Sequence, residues 1–326
     1  MTTGEARTAL ITGALGFAGQ HLLSELEQQT NWDLIGLARR HGPTRGRERI
    51  LGCDLRDAAL VGRVIDRYRP DVIFHLAAQS YVPQAIAAPG ETITNNILAQ
   101  VNLLEACRAA SLDPVIVIVG SSEVYGHVQP DEVPLTESQP FRPVNPYAVS
   151  KIAQDMLGLQ YALAHGMRII RVRPFNHFGP GQSDRFVLST FARQVAEAEA
   201  GRIEPVVLTG NLDAQRDFLD VRDVVRAYRL LVEHGEPGDV YNIASGVSHR
   251  VGDLLDLLIS QATIPIEVRP DPARMRPSDT PILAGDAKKL RDATGWEPRY
   301  AIEQSLGDTL GYWRAEIARN ADHSLE

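Results

Sequence analysis

Five short apolar runs, separated from one another by stretches of helical periodicity, constrain this chain more than any other feature. Residues 8–12 (TALIT), 33–38 (DLIGLA), 72–77 (VIFHLA), 115–119 (VIVIV) and 168–172 (RIIRV) lack the polar alternation of a half-exposed strand. Strands of that kind belong to a parallel sheet covered on both faces. Helical stretches at 17–29, 56–68, 95–110 and 147–165 lie between them, which predicts βαβ units. Within 95–110, Ile97, Val101, Leu104 and Ala106 fall close to one face, and Glu105 and Arg108 point elsewhere.

The texture changes after Pro174. PFNHFGPGQSDR is a polar, glycine-rich connection, followed by an expected helix near 186–200, a strand at 205–208 and a helix near 221–234. YNIAS (241–245), a helix at 251–261, a strand at 264–268, a helix at 286–294 stopped by Gly295 and a last amphipathic helix at 302–317 complete the chain. At roughly 150 residues per domain, 326 residues suit a large sheet domain and a smaller second one. The expected division is 1–174 and 175–326, with some segments of the second half returning to the first.

Thirty-three basic against forty-one acidic residues leave a formal charge of -8, which argues against nucleic acid as a partner. A local basic pocket for a small anion remains compatible with it. Cys53 and Cys107 are the only cysteines, too few for a disulfide framework or a cysteine metal site, and fit a reducing, cytoplasmic setting. The longest apolar run, Val115–Val119, is far short of the ~20 residues of a membrane span. His75, His127 and His177 form no spaced ligand set, so no metal is expected. His75 reads as a buried histidine with satisfied hydrogen bonds.

Gly13, Gly16 and Gly19 follow the first strand and open a helix as GxxGxxG. Absent side chains let a backbone approach a pyrophosphate, and a helix N-terminus supplies N–H groups and positive dipole. At the end of the second strand, where NAD-binding folds place a carboxylate for the ribose hydroxyls, this chain has Arg39-Arg40 and no acid. That favours NADP(H), with NAD(H) at lower preference, through pairing of a guanidinium with the 2′-phosphate. A solvated basic loop edge is the alternative. Asp54, after the third strand, is a candidate partner for the adenine amino group or an ordinary turn acid.

Tyr147 and Lys151 are four apart on an expected helix that Asn145-Pro146 begins, so they share a face. Ser121 and Ser122 sit at the end of the VIVIV strand, where sheets of this type expose reactive groups. An ammonium near a phenol favours the phenolate, which is expected to lower the Tyr147 pKa. Tyr147 then exchanges a proton with a carbonyl oxygen as hydride is transferred, and Ser121 supplies a second hydrogen bond.

GxxGxxG, SSEVYG (121–126) and YxxxK together resemble the extended short-chain dehydrogenase/reductase family of nucleotide-sugar enzymes. HLAAQSYV (75–82) and the segment from Asn96 to Ala106 are similar to that family's fourth-strand and fourth-helix signatures. The resemblance implies an α/β fold, a doubly wound Rossmann-type parallel sheet with a smaller C-terminal α/β substrate domain. It places the catalytic hydroxyl at Ser121, with Tyr147 and Lys151 also touching the cofactor. Phe17, Leu55, Leu76, Ala77 and Ala78 join the cofactor side. On the substrate side it implies Tyr81, Ser122, Glu123, Asn176, Val187, Asn211, Leu212, Arg216, Arg276 and Asp279. Asn176, Arg216 and Arg276 also lie in segments that read as loops, where binding residues accumulate.

RPFNHFGPGQ (173–182), GNLDAQRDFLDVRDV (210–224), RMRPSD (274–279) and TGWEP (294–298) most resemble the members that reduce the C4 ketone of GDP-linked 4-keto-6-deoxyhexoses. Dehydratases of GDP-mannose share several of these patterns but carry an NHESPRRG-like stretch where this chain has NHFGPGQS, and a longer loop after Arg39-Arg40. Glu123 occupies the position where those dehydratases keep an acid, which leaves the dehydratase and other epimerase or reductase activities as alternatives. The helices at 95–110 and 147–165 resemble the pair that forms a two-fold four-helix interface in the family, implying a homodimer.

Overall fold

The computed structural model describes residues 7–42, 46–275 and 282–322. In chain order its first half contains β1 (Thr8–Thr12), α1 (Phe17–Gln29), β2 (Asp33–Ala38), β3 (Glu48–Gly52), α2 (Ala58–Tyr68), β4 (Val72–His75), α3 (Val82–Ala87), α4 (Pro89–Ala109), β5 (Val115–Val119), α5 (Pro146–His165) and β6 (Ile169–Pro174). The second half contains β7 (Asn176–Phe178), α6 (Val187–Glu199), β8 (Val206–Thr209), β9 (Gln215–Asp220), α7 (Val221–His234), β10 (Val240–Ile243), β11 (Ser248–Arg250), α8 (Val251–Ile259), β12 (Glu267–Pro270), β13 (Ile282–Leu283), α9 (Lys288–Thr294) and α10 (Ile302–Asp322).

The five expected strands do lie in one parallel sheet. Seven strands run in the order β10-β6-β5-β4-β1-β2-β3, the doubly wound Rossmann-type arrangement. The chain moves outward from β1 to β3 and then crosses to β4 on the other side of β1. The crevice at that reversal opens beyond the C-terminal ends of β1 and β4, where Thr12 pairs with His75. One sheet face is covered by α1 and α7, with Leu22, Leu26, Val224, Tyr228 and Leu231 buried. The other carries α2, α4 and α5.

The second half of the chain divides its packing. α7, β10 and α9 cover or extend the large sheet. α6, α8 and α10 form a separate apolar cluster around Phe191, Leu254, Leu258, Leu306 and Leu310. A small sheet, β11-β9-β13 with β7 also on β9, stands between that cluster and the crevice. Among the described residues no helix is long and apolar enough to cross a membrane.

Three expectations need correction. The fourth helix begins at Pro89, not near residue 95, because Pro89 fits its first turn. Its buried face is Thr92, Asn96, Ala99, Gln100, Leu103, Leu104 and Cys107, while Ile97, Val101 and Ala106 are only half-buried. Asn96 and Gln100 can be buried because their side chains bond to Gln79, Ser150 and the Gln154 carbonyl. The strand expected at 264–268 lies at Glu267–Pro270, an exposed edge paired with β8. Asn176 and Arg216, expected in loops, lie on the short strands β7 and β9.

His75 ends β4 with its ring fully buried, Nδ1 3.0 Å from Thr12 Oγ1 and Nε2 3.3 Å from Gln154 Nε2. Burial, aided by the charge of Lys151, pushes the imidazole from 6.5 down to about 3. A base with a lowered folded pKa binds fewer protons folded than unfolded between those two values. Stability must therefore fall as pH drops through 6.5 and keep falling toward 3. Between pH ~7 and ~5 the wild type should lose about 2 kcal/mol more than His75→Asn in denaturant unfolding. Parallel pH profiles for the two proteins would refute this assignment.

Candidate active site

Thr12 leads from β1 into a turn closed by the Gly16 N–H donating to the Gly13 carbonyl at 2.8 Å. Gly13 has φ +70, and a Cβ there would stand 3.1 Å from the Ala77 backbone. At Gly19 a Cβ would lie 2.3 Å from the Gly13 oxygen, so only glycine lets α1 press on its own approach turn. Gly16 caps α1 without a side-chain bond, leaving the first N–H groups of the helix pointing into the crevice. Phe17, the first helical residue, stacks on His177 of β7 at a centroid distance of 6.1 Å.

The loop after β4 forms the opposite wall. Ala77 N donates to Thr12 Oγ1 at 3.1 Å, and Leu76, Ala77 and Ala78 are half-buried. Asn96 grips the main chain of Gln79 at both ends, its Oδ1 accepting from Gln79 N at 2.8 Å and its Nδ2 donating to Gln79 O at 3.2 Å. Sequence reasoning gave Asn96 no such role; its place inside an otherwise helical run was the available signal. Further along the sheet edge, Arg39 and Arg40 are exposed just after β2. Cys53 N donates to Ala38 O at 2.7 Å, which sets Asp54 beside them, and Leu55 is buried next to it. Hydrogen bonds from Arg56 hold the Asp54 carboxyl below its usual range.

Ser121, Tyr147 and Lys151 gather over the end of β5. Ser121 adopts an extended backbone and its Oγ accepts from the Glu123 N–H at 3.2 Å. Asn145 caps α5, its Oδ1 accepting from Ala148 N at 2.8 Å, while its Nδ2 donates to Glu123 Oε2 at 3.0 Å. One residue thus starts the helix that carries Tyr147 and Lys151 and ties it to the segment that carries Ser121 and Glu123. Ser122 is buried beneath them.

Lys151 is 3 % exposed, and its Nζ donates to the Val119 carbonyl at 2.8 Å and lies 5.9 Å from the centre of the Tyr147 ring. Burial lowers its ammonium from 10.5 to about 7. The expected lowering of Tyr147 is reversed. Burial raises its phenol, the nearby charge of Glu123 raises it further, and the hydrogen bond with Ser121 opposes both. A desolvated ammonium already committed to a carbonyl cannot offset the desolvation of the phenol.

The wall formed by β7 and β9 supplies the third side. Arg216 Nη1 donates to Gln215 O at 2.8 Å, burial lowers its guanidinium, and the charge of Glu123 works against that lowering. The Glu123 charge therefore acts on both Tyr147 and Arg216. Asp217 and Asp220, the neighbouring acids, have other work. Asp217 accepts from Ser245, Gly246 and Gly285, and Asp220 pairs with Arg222 and accepts from Ser305 Oγ.

Tyr81 packs edge-on against Phe186 at 6.2 Å beneath the Arg185 guanidinium, and Val187 opens α6. Asn176 is paired in register with Phe218. Asn211 Oδ1 accepts from Asp213 N at 2.8 Å, and Leu212 O accepts from Gly252 N at 2.9 Å. Among the described residues no hydrogen bond or ion pair joins Val187, Asn211 or Leu212 to the Ser121–Tyr147–Lys151 group. Arg276 and Asp279 lie outside the described residues. No group of three His, Cys, Asp or Glu suited to a metal occurs among the described residues.

A doubly wound sheet, a glycine turn at its reversal and a Ser–Tyr–Lys group over the end of β5 define the extended short-chain dehydrogenase/reductase class. The chain belongs to the GDP-mannose 4,6 dehydratase family, whose model matches residues 10–309. It is 38% identical over 308 residues to the GDP-6-deoxy-D-mannose reductase of Pseudomonas aeruginosa, covering 94% of this chain and 97% of that one. It is 30% identical over 320 residues to GDP-mannose 4,6 dehydratase 1 of Arabidopsis thaliana, covering 91% and 87%. The solved structure of RMD from Pseudomonas aeruginosa complexed with NADPH matches with a TM-score of 0.85 at 36% identity, over 95% of this chain and 100% of that one.

Gly19→Ala is the sharpest test of the glycine turn. Its Cβ would meet backbone atoms that cannot give way without moving α1 off β1. The variant should lose about 2 kcal/mol or more of stability, read by thermal or denaturant unfolding, together with nicotinamide-nucleotide binding. Wild-type stability with wild-type binding would show that the turn tolerates a side chain.

Proposed function

We propose that this chain is an NADPH-dependent nucleotide-sugar 4-ketoreductase that converts GDP-4-keto-6-deoxy-D-mannose to GDP-D-rhamnose. The observation that carries the reading is the Ser121–Tyr147–Lys151 group set beside the glycine turn, in a chain 38% identical across 94% of its length to a GDP-6-deoxy-D-mannose reductase.

The crevice residues fit a phosphorylated dinucleotide. A Cβ would fill the cradle at Gly13 and Gly19, and two exposed arginines stand where the 2′-phosphate would lie. Gly13, Gly16, Phe17 and Gly19 would hold the pyrophosphate, Arg39 and Arg40 the 2′-phosphate, and Asp54 and Leu55 the adenine. Leu76, Ala77 and Ala78 would form the far wall. NADPH, when bound, supplies the hydride for C4; NADH would serve at lower preference.

Tyr147 donates the proton. Its raised pKa keeps the phenol protonated through the neutral range, the state a ketone reduction requires. Ser121 gives the same oxygen a second hydrogen bond as negative charge develops. Lys151, with its ammonium near neutrality, then favours the phenolate left behind. Arg216, Asn176 and Arg276 would take the diphosphate, Asp279 the ribose, and Tyr81, Ser122, Val187, Asn211 and Leu212 would line the nucleotide sugar.

Residues 1–174 form the NADP(H) domain on this reading. Residues 175–326 mainly bind the nucleotide sugar, with α7, β10 and α9 returning to the large sheet. A homodimer is supported by exposed apolar side chains on α4 and α5. Val149, Met156 and Leu163 recur every seven residues along α5, and Leu98 is exposed on α4. Burying such a stripe against a second copy removes apolar surface from water. Sedimentation should give about twice the 35.8 kDa chain mass, and a monomer at micromolar protein would reject the dimer. Two buried free thiols, Cys53 and Cys107, support a cytoplasmic setting.

GDP-mannose 4,6-dehydratase activity is the second reading, favoured by the carboxylate of Glu123 beside Tyr147. The redox balance separates the two, because a dehydratase returns its hydride to the sugar and consumes no NADPH. The purified chain should oxidise one NADPH per 4-keto sugar, and Tyr147→Phe should lower kcat by ~10²-fold or more. With GDP-mannose alone it should form no 4-keto product. Efficient water elimination that Glu123→Gln abolishes would establish the dehydratase instead.

A further inference from the structure

Resting on the NADPH reading above, we infer that Arg56 is a positioning residue for cofactor choice, acting through Asp54. Asp54 follows β3 at the same sheet edge as Arg39 and Arg40, drawn there by the Cys53 N–H to Ala38 O bond. A bare carboxylate so near that edge repels a 2′-phosphate. It would cancel part of what two arginines contribute.

Arg56 removes the conflict. Its Nε lies 3.0 Å from Asp54 Oδ1 and 3.1 Å from Oδ2, and its Nη2 lies 2.7 Å from Oδ2. The Arg56 main-chain N–H donates to Oδ1 as well, at 3.0 Å. The remaining Nη1 reaches Asn95 Oδ1 on α4 at 3.2 Å, so the guanidinium is braced from a second element. Both side chains are about half exposed, 51% and 47%. A pair so exposed contributes little to folding stability, so four bonds spent on orienting one surface carboxylate point to a ligand. Asp57, the next acid, is engaged as the cap of α2 and takes no part. Glu91 on α4 adds a further negative charge near Arg56.

The pair as a whole is neutral, and because one Arg56 Nε–H is shared between both oxygens, three N–H groups leave the carboxylate one acceptor site for the adenine amino group. Arg56 thus lets one acid read the base without repelling the phosphate. Arg39 and Arg40 then meet that phosphate unopposed.

The experiment titrates the full-length protein with NADPH and NADH by cofactor fluorescence. Wild type should prefer NADPH. Arg56→Ala should weaken NADPH about tenfold or more and NADH less than about threefold. Adding Asp54→Asn to Arg56→Ala should return NADPH to within about threefold of wild type, because the amide keeps an acceptor and loses the charge. A loss equal for both cofactors overturns the inference, as does a loss that Asp54→Asn fails to repair, since Arg56 would then bind phosphate itself or serve only the fold. Those outcomes leave the cofactor reading standing. A wild type without NADPH preference overturns both.

Discussion

The seating of α5 against β5 and β6 fixes the geometry on which everything else in the site depends. Asp155, 1 % exposed, takes Arg171 Nη1 at 2.7 Å on one oxygen and Arg173 Nε at 2.8 Å on the other. Removing Asp155 would strand two buried guanidiniums, so the triad holds the helix in one position. Arg173 continues to Tyr125 Oη and the Glu137 carbonyl, and Tyr125 donates to Asn242 on β10. Gly158 lets the helix approach closely, since a Cβ there would stand 2.8 Å from Ile118 Cδ1. One helical turn from the triad, Lys151 is set at Val119 O. A further turn along, Tyr147 is set over Ser121.

The two sheets divide the chemistry. The large sheet places the glycine turn through β1 and the Tyr147 group through β5, both buried on both faces. The small sheet contributes charge, through Arg216 on β9, and is fastened by Asp217. That carboxylate, fully buried, gathers main-chain N–H groups from the loop after β10 and from Gly285 after β13. Arg216 therefore faces Glu123 from a strand whose next residue anchors β9 to its surroundings. Small displacements of either sheet would change the spacing between the cation and the phenol.

Legibility in the sequence followed the same division. TALIT, VIVIV and the glycine turn were readable because burial on two faces and close backbone approach each demand particular residues in a particular order. QRDFLD and NHF, which form β9 and β7, read as loop because strands that line a site carry polar side chains and owe their pairing to neighbours distant in sequence. The start of α4 was hidden for a related reason. Thr92, Asn96 and Gln100 lie on its buried face, and their burial is intelligible only once Gln79 is seen to donate to Thr92, and Ser150 and Gln154 to accept from Asn96 and Gln100. The Tyr147–Lys151 spacing was legible, but the sign of the Tyr147 shift was not. Spacing places an ammonium near a phenol without saying how dry the phenol is.

Dryness also bears on how one scaffold can serve both a reductase and a dehydratase. Each reaction needs a tyrosine at the sugar C4 oxygen, and they part at the next acid along. In this chain Glu123 is held by Asn145, the residue that starts α5, and its charge acts on half-buried Arg216. An acid that must protonate a leaving hydroxyl needs its proton available and its carboxyl free to reach the sugar. A carboxylate whose Oε2 already accepts from Asn145 is held in place rather than free to reach a sugar. The same contacts suit a group that orients rather than reacts. Glu123 accepts from the cap of the helix that carries Tyr147, and its charge reaches Arg216 on β9, so one carboxylate bears on both sheets.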